Sequence, residues 1–314
     1  MSSDAAGLKP PIVAVLGSIN MDLVVRCQSL PVGGQTLAAD SAHEVCGGKG
    51  ANQAVAAAKV GGDVRMIGRV GDDLFAQRLL ANLQDQQVNC DAVSPTRNCA
   101  SGLAIVVVEA SGQNSIMLVA GANAKVSVAD VERFRHLIES ADVLLLQLEI
   151  PTDSVLAAIQ IASSAGVRCI LDPAPVASCW TDELLQVDFI CPNETEASAI
   201  TGLPVRSVEE AVTAAKQLQL RGAKNVAITL GECGSILLAG NASHHIEATA
   251  IEAVDTTAAG DAYTGAFAVR WAETDDILEA VRFASVAGAI AATRHGAQPS
   301  IGTRKEIETR RSQL

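Results

Sequence analysis

The chain has 314 residues, enough for one large α/β domain or two ordinary ones, and 49% of them are hydrophobic, which excludes wholesale disorder. A net charge of −12 repels phosphate backbones and acidic membrane surfaces, and an aromatic content of 3% leaves little for base stacking, so neither nucleic acid nor a membrane is an expected partner. The N-terminal "MSSDAAGLKPP" lacks the basic and apolar regions of a signal peptide, and no apolar run reaches transmembrane length uninterrupted. A cytoplasmic protein is expected, and the eight cysteines, which form no CxxC, are expected to stay reduced. The C-terminal "SQL" resembles a peroxisomal tripeptide address and is read as an accidental ending.

In chain order, "IVAVLGSI" (12–19), "VLLLQLEI" (143–150), "CILDPAP" (169–175), "DFICPN" (188–193) and "VAITLG" (226–231) read as buried strands. Helical stretches such as "TDSVLAAIQIASSAG" and "SVEEAVTAAKQLQLRG" lie between them. Apolar strands alternating with helices predict a mainly parallel sheet covered on both faces. Residues 21–46 and 100–119 alternate like antiparallel strands, with a hairpin around Ser111 and Gly112. They predict a small sheet projecting from the large one within a single domain over 1–314. In such folds the ligand lies beyond the carboxyl ends of the strands. Asn20, Asp22, Glu149, Asp172, Asn193 with Glu194 and Glu196, and Thr229-Leu230-Gly231 all follow apolar strands closely.

"CGGKGANQAVAAAKVGG" (46–62) is not a P-loop, because four residues do not separate the glycines and no hydroxyl follows the lysine. No GxGxxG follows the first strand, which disfavours a dinucleotide-binding dehydrogenase. GGKG reads either as a turn entering a helix capped by Asn52 or as a loop whose bare backbone approaches a ligand. "DTTAAGDAYTGAFAV" (255–269) sets Asp255 and Asp261 at the two ends of a run of small residues. A carboxylate in a first helical turn is an ordinary preference, and Asp255 could simply cap a turn.

Eight motifs occur together: "GSINMD" (17–22), "GGKGANQA" (47–54), "QLE" (147–149), "DPAP" (172–175), "PNETEA" (192–197), "ITLGECG" (228–234), "DTTAAGDAYTGA" (255–266) and "TRHGAQPS" (293–300). In this order they closely resemble the PfkB carbohydrate-kinase family over about Ile12 to Ser300. "GSIN" with its aspartate and "TRHGAQPS" incline the match to the ribokinase branch rather than to adenosine kinases or fructokinases.

The resemblance implies a three-layer ribokinase-like fold with a lid formed by about 21–46 and 100–119. It implies ATP-dependent transfer of a phosphoryl group to the 5-hydroxyl of D-ribose, with magnesium, potassium activation and a homodimer built through the lid. Asp261 would be the base, with the backbone N–H groups of Ala258, Ala259 and Gly260 as an anion hole. Unpaired first-turn N–H groups suit that role. The sugar would meet Asn20, Met21, Asp22, Gly48, Lys49, Gly50, Ala51, Asn52 and Glu149. ATP would meet Asn193 and Glu196, near its phosphates and magnesium, the loop Thr229-Leu230-Gly231-Glu232-Cys233-Gly234, and Ser285, besides Gly260 and Asp261. The monovalent cation would lie among Asp255, Thr257, Ala291, Arg294, Gly296 and Ser300. The chain departs from the common pattern after Asp261, where Thr264 replaces an asparagine, and at Ser285, where some relatives carry histidine. Another PfkB-family sugar or nucleoside kinase, or a non-catalytic sugar-binding regulator, is the alternative.

Overall fold

The computed structural model describes residues 9–110 and 114–313. The strands are β1 (Ile12–Leu16), β2 (Asn20–Cys27), β3 (Ser41–Gly47), β4 (Asp63–Val70), β5 (Asn89–Pro95), β6 (Gly102–Glu109), β7 (Asn114–Val119), β8 (Val143–Leu146), β9 (Arg168–Leu171), β10 (Phe189–Ile190), β11 (Asn225–Thr229), β12 (Ser235–Ala239) and β13 (Ala242–Ile246). The helices are α1 (Lys49–Lys59), α2 (Leu74–Asp85), α3 (Val128–Arg133), α4 (Arg135–Glu139), α5 (Thr152–Ala165), α6 (Glu194–Thr201), α7 (Val208–Leu220), α8 (Ala259–Thr274), α9 (Ile277–Ala292) and α10 (Arg304–Arg311).

Nine strands form the large sheet in the order β13-β12-β11-β10-β9-β8-β1-β4-β5. It is parallel from β11 through β1 to β5 and turns antiparallel only at β12 and β13. Strand periodicity decides its two faces. Val13 and Val15 of β1 join the core beneath α1, α2, α8 and α9, while Ala14 and Leu16 join the opposite core beneath α3 to α7. Both faces are covered, which is why these strands read as unbroken apolar runs rather than alternating ones.

A second sheet holds the order β3-β2-β6-β7. The expected antiparallel character holds for β2 with β3 and for β6 with β7, but β2 and β6 pair in parallel, Asn20 opposite Gly102 through Cys27 opposite Glu109. That pairing joins two distant segments, so alternation within each could not reveal its direction. The hairpin turn expected at Ser111 and Gly112 lies outside the described residues. On β7, Ile116, Met117, Leu118 and Val119 are exposed.

Helices α1 and α8 set the geometry of the site. A Cβ on Gly265 of α8 would come within 2.6 Å of both the Ala56 methyl and the Gln53 carbonyl of α1. The small faces therefore let the two backbones approach closely and bring the N-terminal turns of α1 and α8 together. Further along α8, Phe267 stacks on Phe189 of β10 at 4.0 Å between ring centroids, with Trp271 tilted at 5.4 Å from Phe267. Such aromatic contacts add roughly 0.5–1.5 kcal/mol each beyond their buried area and fix the helix against the sheet. Among the described residues no helix is long and apolar enough to cross a membrane.

Candidate active site

The carboxyl ends of β1 and β8, the start of α1 and the start of α8 converge on one polar cluster. Asp261 is buried in the first turn of α8. One of its oxygens accepts from Asn52 Nδ2 at 2.9 Å and the other from Gln53 Nε2 at 3.1 Å. Asn52 thus lies within α1 with its amide on Asp261, and does not cap the helix. The position before α1 is Gly48, with no side-chain cap.

A second part of the cluster centres on Glu149. Its Oε2 accepts from Ser18 Oγ at 2.5 Å, from the Lys49 N–H at 3.2 Å and from Asn20 Nδ2 at 3.4 Å. Asn20 in turn accepts from Asn123 Nδ2 at 2.6 Å, and Asn123 Oδ1 receives the Ile19 N–H at 3.0 Å. Asp22 stands two residues beyond Asn20 along β2, its Oδ1 buried and, among the described residues, without a hydrogen-bond partner. Burial first, then the neighbouring Glu149 and Asp261 carboxylates, push the Asp22 carboxyl up to about 7. A buried acceptor left unpaired is costly and calls for a donor from outside the chain.

Lys49 supplies the positive charge. Its Nζ lies 4.0 Å from Asp172 Oδ2. Burial alone would lower its pKa, but Asp172, Asp261, Glu149 and Glu196 outweigh that and raise it, so Lys49 stays charged. Gly50 keeps the turn close-packed, because a Cβ there would sit 2.6 Å from the Ser18 nitrogen and 2.7 Å from the Gly17 carbonyl carbon.

Asn20, Asp22, Lys49, Asn52, Glu149 and Asp261 are therefore brought together. The side chains of Met21 and Ala51 are not, since both are buried in the hydrophobic core. Sequence reasoning passed over Ser18, Gln53, Asn123 and Gln147, and gave Asp172 no role. Four of these lie inside quoted motifs, so a polar residue in an apolar strand–turn context was the available signal; Asn123 lies in none.

The turn before α8 has unusual backbone. Ala258 has φ +59°, a left-handed conformation uncommon for a residue with a Cβ. The Ala259 N–H donates to the Thr256 carbonyl at 3.2 Å and so closes a turn. Those of Ala258 and Gly260 have no acceptor among the described residues.

Asp255 joins this loop to another. Its Oδ1 accepts from the Thr257 N–H at 3.0 Å and its Oδ2 from the Gly296 N–H at 3.0 Å. Burial opposes ionisation, yet the Gly296 and Thr257 hydrogen bonds and His295 hold its carboxyl below the usual range. The Val254 and Asp255 N–H groups both reach the Ala292 carbonyl, which fixes the 254–257 loop against the end of α9. Ser300 is buried nearby in the same loop system, and Arg294 turns its guanidinium to Glu306 at 2.5 Å.

The expected nucleotide residues follow β10 and β11, with Glu196 close enough to the cluster to act on the Lys49 charge. Asn193 caps α6, and Asn193 and Glu196 bond reciprocally at 2.9 Å each way. An isolated bridge links Asn193 to Thr229, and the Leu230 N–H reaches the Gly234 carbonyl at 2.8 Å, closing the glycine-rich loop. Glu232 and Cys233 are exposed on it, and Ser285 Oγ bonds back to the Val281 carbonyl at 2.9 Å within α9. Among the described residues no group of three or more His, Cys, Asp or Glu could hold a metal ion.

The model of the pfkB family of carbohydrate kinases matches residues 11–304. The chain is 39% identical to a ribokinase of Haemophilus influenzae, covering 94% of this chain and 96% of that one. It is 36% identical to a deoxyribokinase of Salmonella typhi, covering 92% and 94%. A solved structure of Arabidopsis thaliana ribokinase complexed with ribose and ATP superposes with a TM-score of 0.88 at 35% identity, over 96% and 99% of the two chains. The fold is ribokinase-like, and the chain belongs to the pfkB family of carbohydrate kinases.

Proposed function

We propose that this sugar kinase is an ATP-dependent ribokinase, working as a single domain over 1–314 whose small sheet acts as a lid. The observation that carries the reading is the position of Asp261. It stands in a first helical turn beside free N–H groups and shares one cluster with Asn20, Asp22, Lys49, Asn52 and Glu149. The ribose and ATP held by the Arabidopsis relative support it.

In this reading the sugar hydroxyls pair with Asn20, Asp22, Gly48, Lys49, Asn52 and Glu149, and the unpartnered Asp22 oxygen gains its donor. Carboxylates and amides suit vicinal hydroxyls because they accept and donate paired bonds, and they reject sugars that leave them unpaired. Asp261 accepts the proton of the 5-hydroxyl as the new oxygen–phosphorus bond forms and the bond to ADP breaks. The transition state is loose, so positioning and charge neutralisation outweigh base strength. The Ala258 and Gly260 N–H groups receive the transferring phosphoryl oxygens, and Ala259 joins them if its turn bond to Thr256 opens. Lys49 adds a fixed positive charge.

The nucleotide would lie along Thr229 to Gly234 and Ser285, with its phosphates near Asn193 and Glu196. Magnesium fits there only as an ion carried largely by phosphate and water, since the donor set offers few carboxylates; bound, it would neutralise phosphate charge. The carboxylate of Asp255, the carbonyl of Thr257 and oxygen groups of Ala291, Arg294, Gly296 and Ser300 would surround a hard monovalent cation such as potassium, for which all-oxygen donors are suited. Such an ion would fix the loop before α8.

A homodimer through the lid belongs to the same proposal, supported by the four exposed apolar residues of β7. So does a cytoplasmic setting, supported by eight free cysteines. Coupled ADP-release kinetics on a panel of ribose, deoxyribose, fructose and adenosine, with and without potassium, tests the assignment. Ribose should give the highest kcat/KM. A deoxyribose preference would move the chain towards its deoxyribokinase relative, and no turnover on any sugar would favour a non-catalytic regulator.

A further inference from the structure

Behind Asp261 lies a chain of buried groups that the proposed reaction does not use. The Gln53 Nε2 that donates to Asp261 Oδ1 at 3.1 Å also donates to Asp172 Oδ2 at 2.8 Å. Gln53 Oε1 accepts from Gln147 Nε2 at 2.6 Å, which fixes the orientation of the Gln53 amide. Gln53 and Gln147 are fully buried, and Asp172 and Asp261 are nearly so. One amide nitrogen thus spends one hydrogen on each of two buried carboxylates. Asp172 comes from the end of β9 and Asp261 from α8, so the glutamine ties the sheet edge to the helix that carries the proposed base.

We propose that Gln53 is a positioning residue for Asp261, and that Asp172, held by the same amide, serves as its protonated partner, so that the base can be ionised without a second negative charge beside it. The proposal rests on the reading of Asp261 as the base. Asn52 alone would leave Asp261 free to rotate about the bond joining its carboxyl group to Cβ; a donor on the second oxygen removes that freedom.

The groups facing Asp172 are Lys49 from α1, Asp261 from α8, Glu196 from α6, Glu149 beyond β8 and the Cys191 thiol beyond β10. Burial chiefly, opposed by Lys49 and reinforced by the three other carboxylates, pushes its carboxyl up to about 8. Ionisation above that pH places a second charge beside Asp261. Because kcat/KM reports the free enzyme, it should fall as pH rises through about 8.

The test uses the full chain with ribose and ATP at constant ionic strength. Gln53→Met keeps the length of the side chain and removes its hydrogen bonds. It should lower kcat on the order of 10- to 100-fold, as small misplacements of a reacting group do, and change the KM for ribose far less. Asp172→Asn stays neutral at every pH and still accepts from Gln53, so it should abolish the alkaline fall in kcat/KM and keep the acidic limb. Wild-type kcat in a folded Gln53→Met enzyme, or an alkaline limb that persists in Asp172→Asn, would overturn the proposal. Should Gln53→Met fail to fold, the Asp172→Asn profile decides alone. Asp261→Asn run in parallel separates the two readings. If it is inactive while both other variants behave as wild type, only the positioning role fails; if it is active, the base assignment itself fails.

Discussion

Replacing Asp261 by asparagine changes the proposed base by one atom and leaves its size intact. Both carboxylate oxygens accept from buried amides, Asn52 at 2.9 Å and Gln53 at 3.1 Å. Asparagine offers only one acceptor oxygen, so its own NH2 must face one of these donors. That mismatch should cost about 1–3 kcal/mol of stability, the usual penalty of an unpaired buried polar group. The kinetic loss is separate and larger. A missing general base lowers turnover ~100- to 10,000-fold. At about 1.36 kcal/mol per decade, that raises the barrier by ~2.7–5.4 kcal/mol. ADP release with saturating ribose and ATP gives kcat, while calorimetry and thermal unfolding report ligand binding and folding. The expected variant is folded, binds both substrates and barely turns over. A folded Asp261→Asn enzyme within tenfold of wild-type kcat would refute the assignment.

The Asp22 carboxyl, raised to about 7 in the free protein by burial and by Glu149 and Asp261, must be ionised to accept two sugar hydroxyls. Ribose affinity should therefore rise with pH and level off above about 7. The same linkage makes the ligand-free fold lose stability as pH rises from the ordinary carboxylate range to about 7, because only the unfolded chain releases that proton early. Titration calorimetry at several pH values should show the rise in wild type and a weak, flat profile in Asp22→Asn; a flat wild-type profile excludes an ionised Asp22 as the acceptor. Potassium should raise kcat more than sodium does, and Asp255→Ala should erase the difference; equal wild-type rates in the two chlorides would return Asp255 to a turn-forming role. Gly50→Ala drives a methyl to 2.6 Å from the Ser18 nitrogen. It should cost roughly 1–3 kcal/mol by denaturant unfolding, the range for overpacking, and an unchanged midpoint would show that the turn has room to yield.

Much of this architecture was legible in the order of residues. The unbroken apolar runs of β1, β8, β9, β10 and β11 announced strands buried on both faces, because only a sheet with two covers needs no polar alternation. The motifs placed Asn20, Lys49, Asn52, Glu149 and Asp261, and the observed cluster unites them. Four strands, β4, β5, β12 and β13, were not singled out. They lie beside stronger signals, and β13 ("ASHHI") has too little apolar character to announce itself.

The remainder depended on contacts between segments far apart in the chain. The parallel pairing of β2 with β6 spans some eighty residues, and nothing within either strand records its partner's direction. Met21 and Asp22 illustrate the same limit: the motif contains both, but strand alternation on a folded sheet sends Met21 into the core and Asp22 to the cluster. Asn52 could be read as a cap until α1 met α8 and turned its amide to Asp261. The pairing of Asp172 with Asp261 through Gln53 exists only because three elements converge there. Local pattern sets which residues can form strands, turns and helix starts, since backbone preference and burial act over a few neighbours. Which carboxylates share a donor, and which stand unpaired, is fixed only when those distant pieces pack against one another and water leaves the space between them.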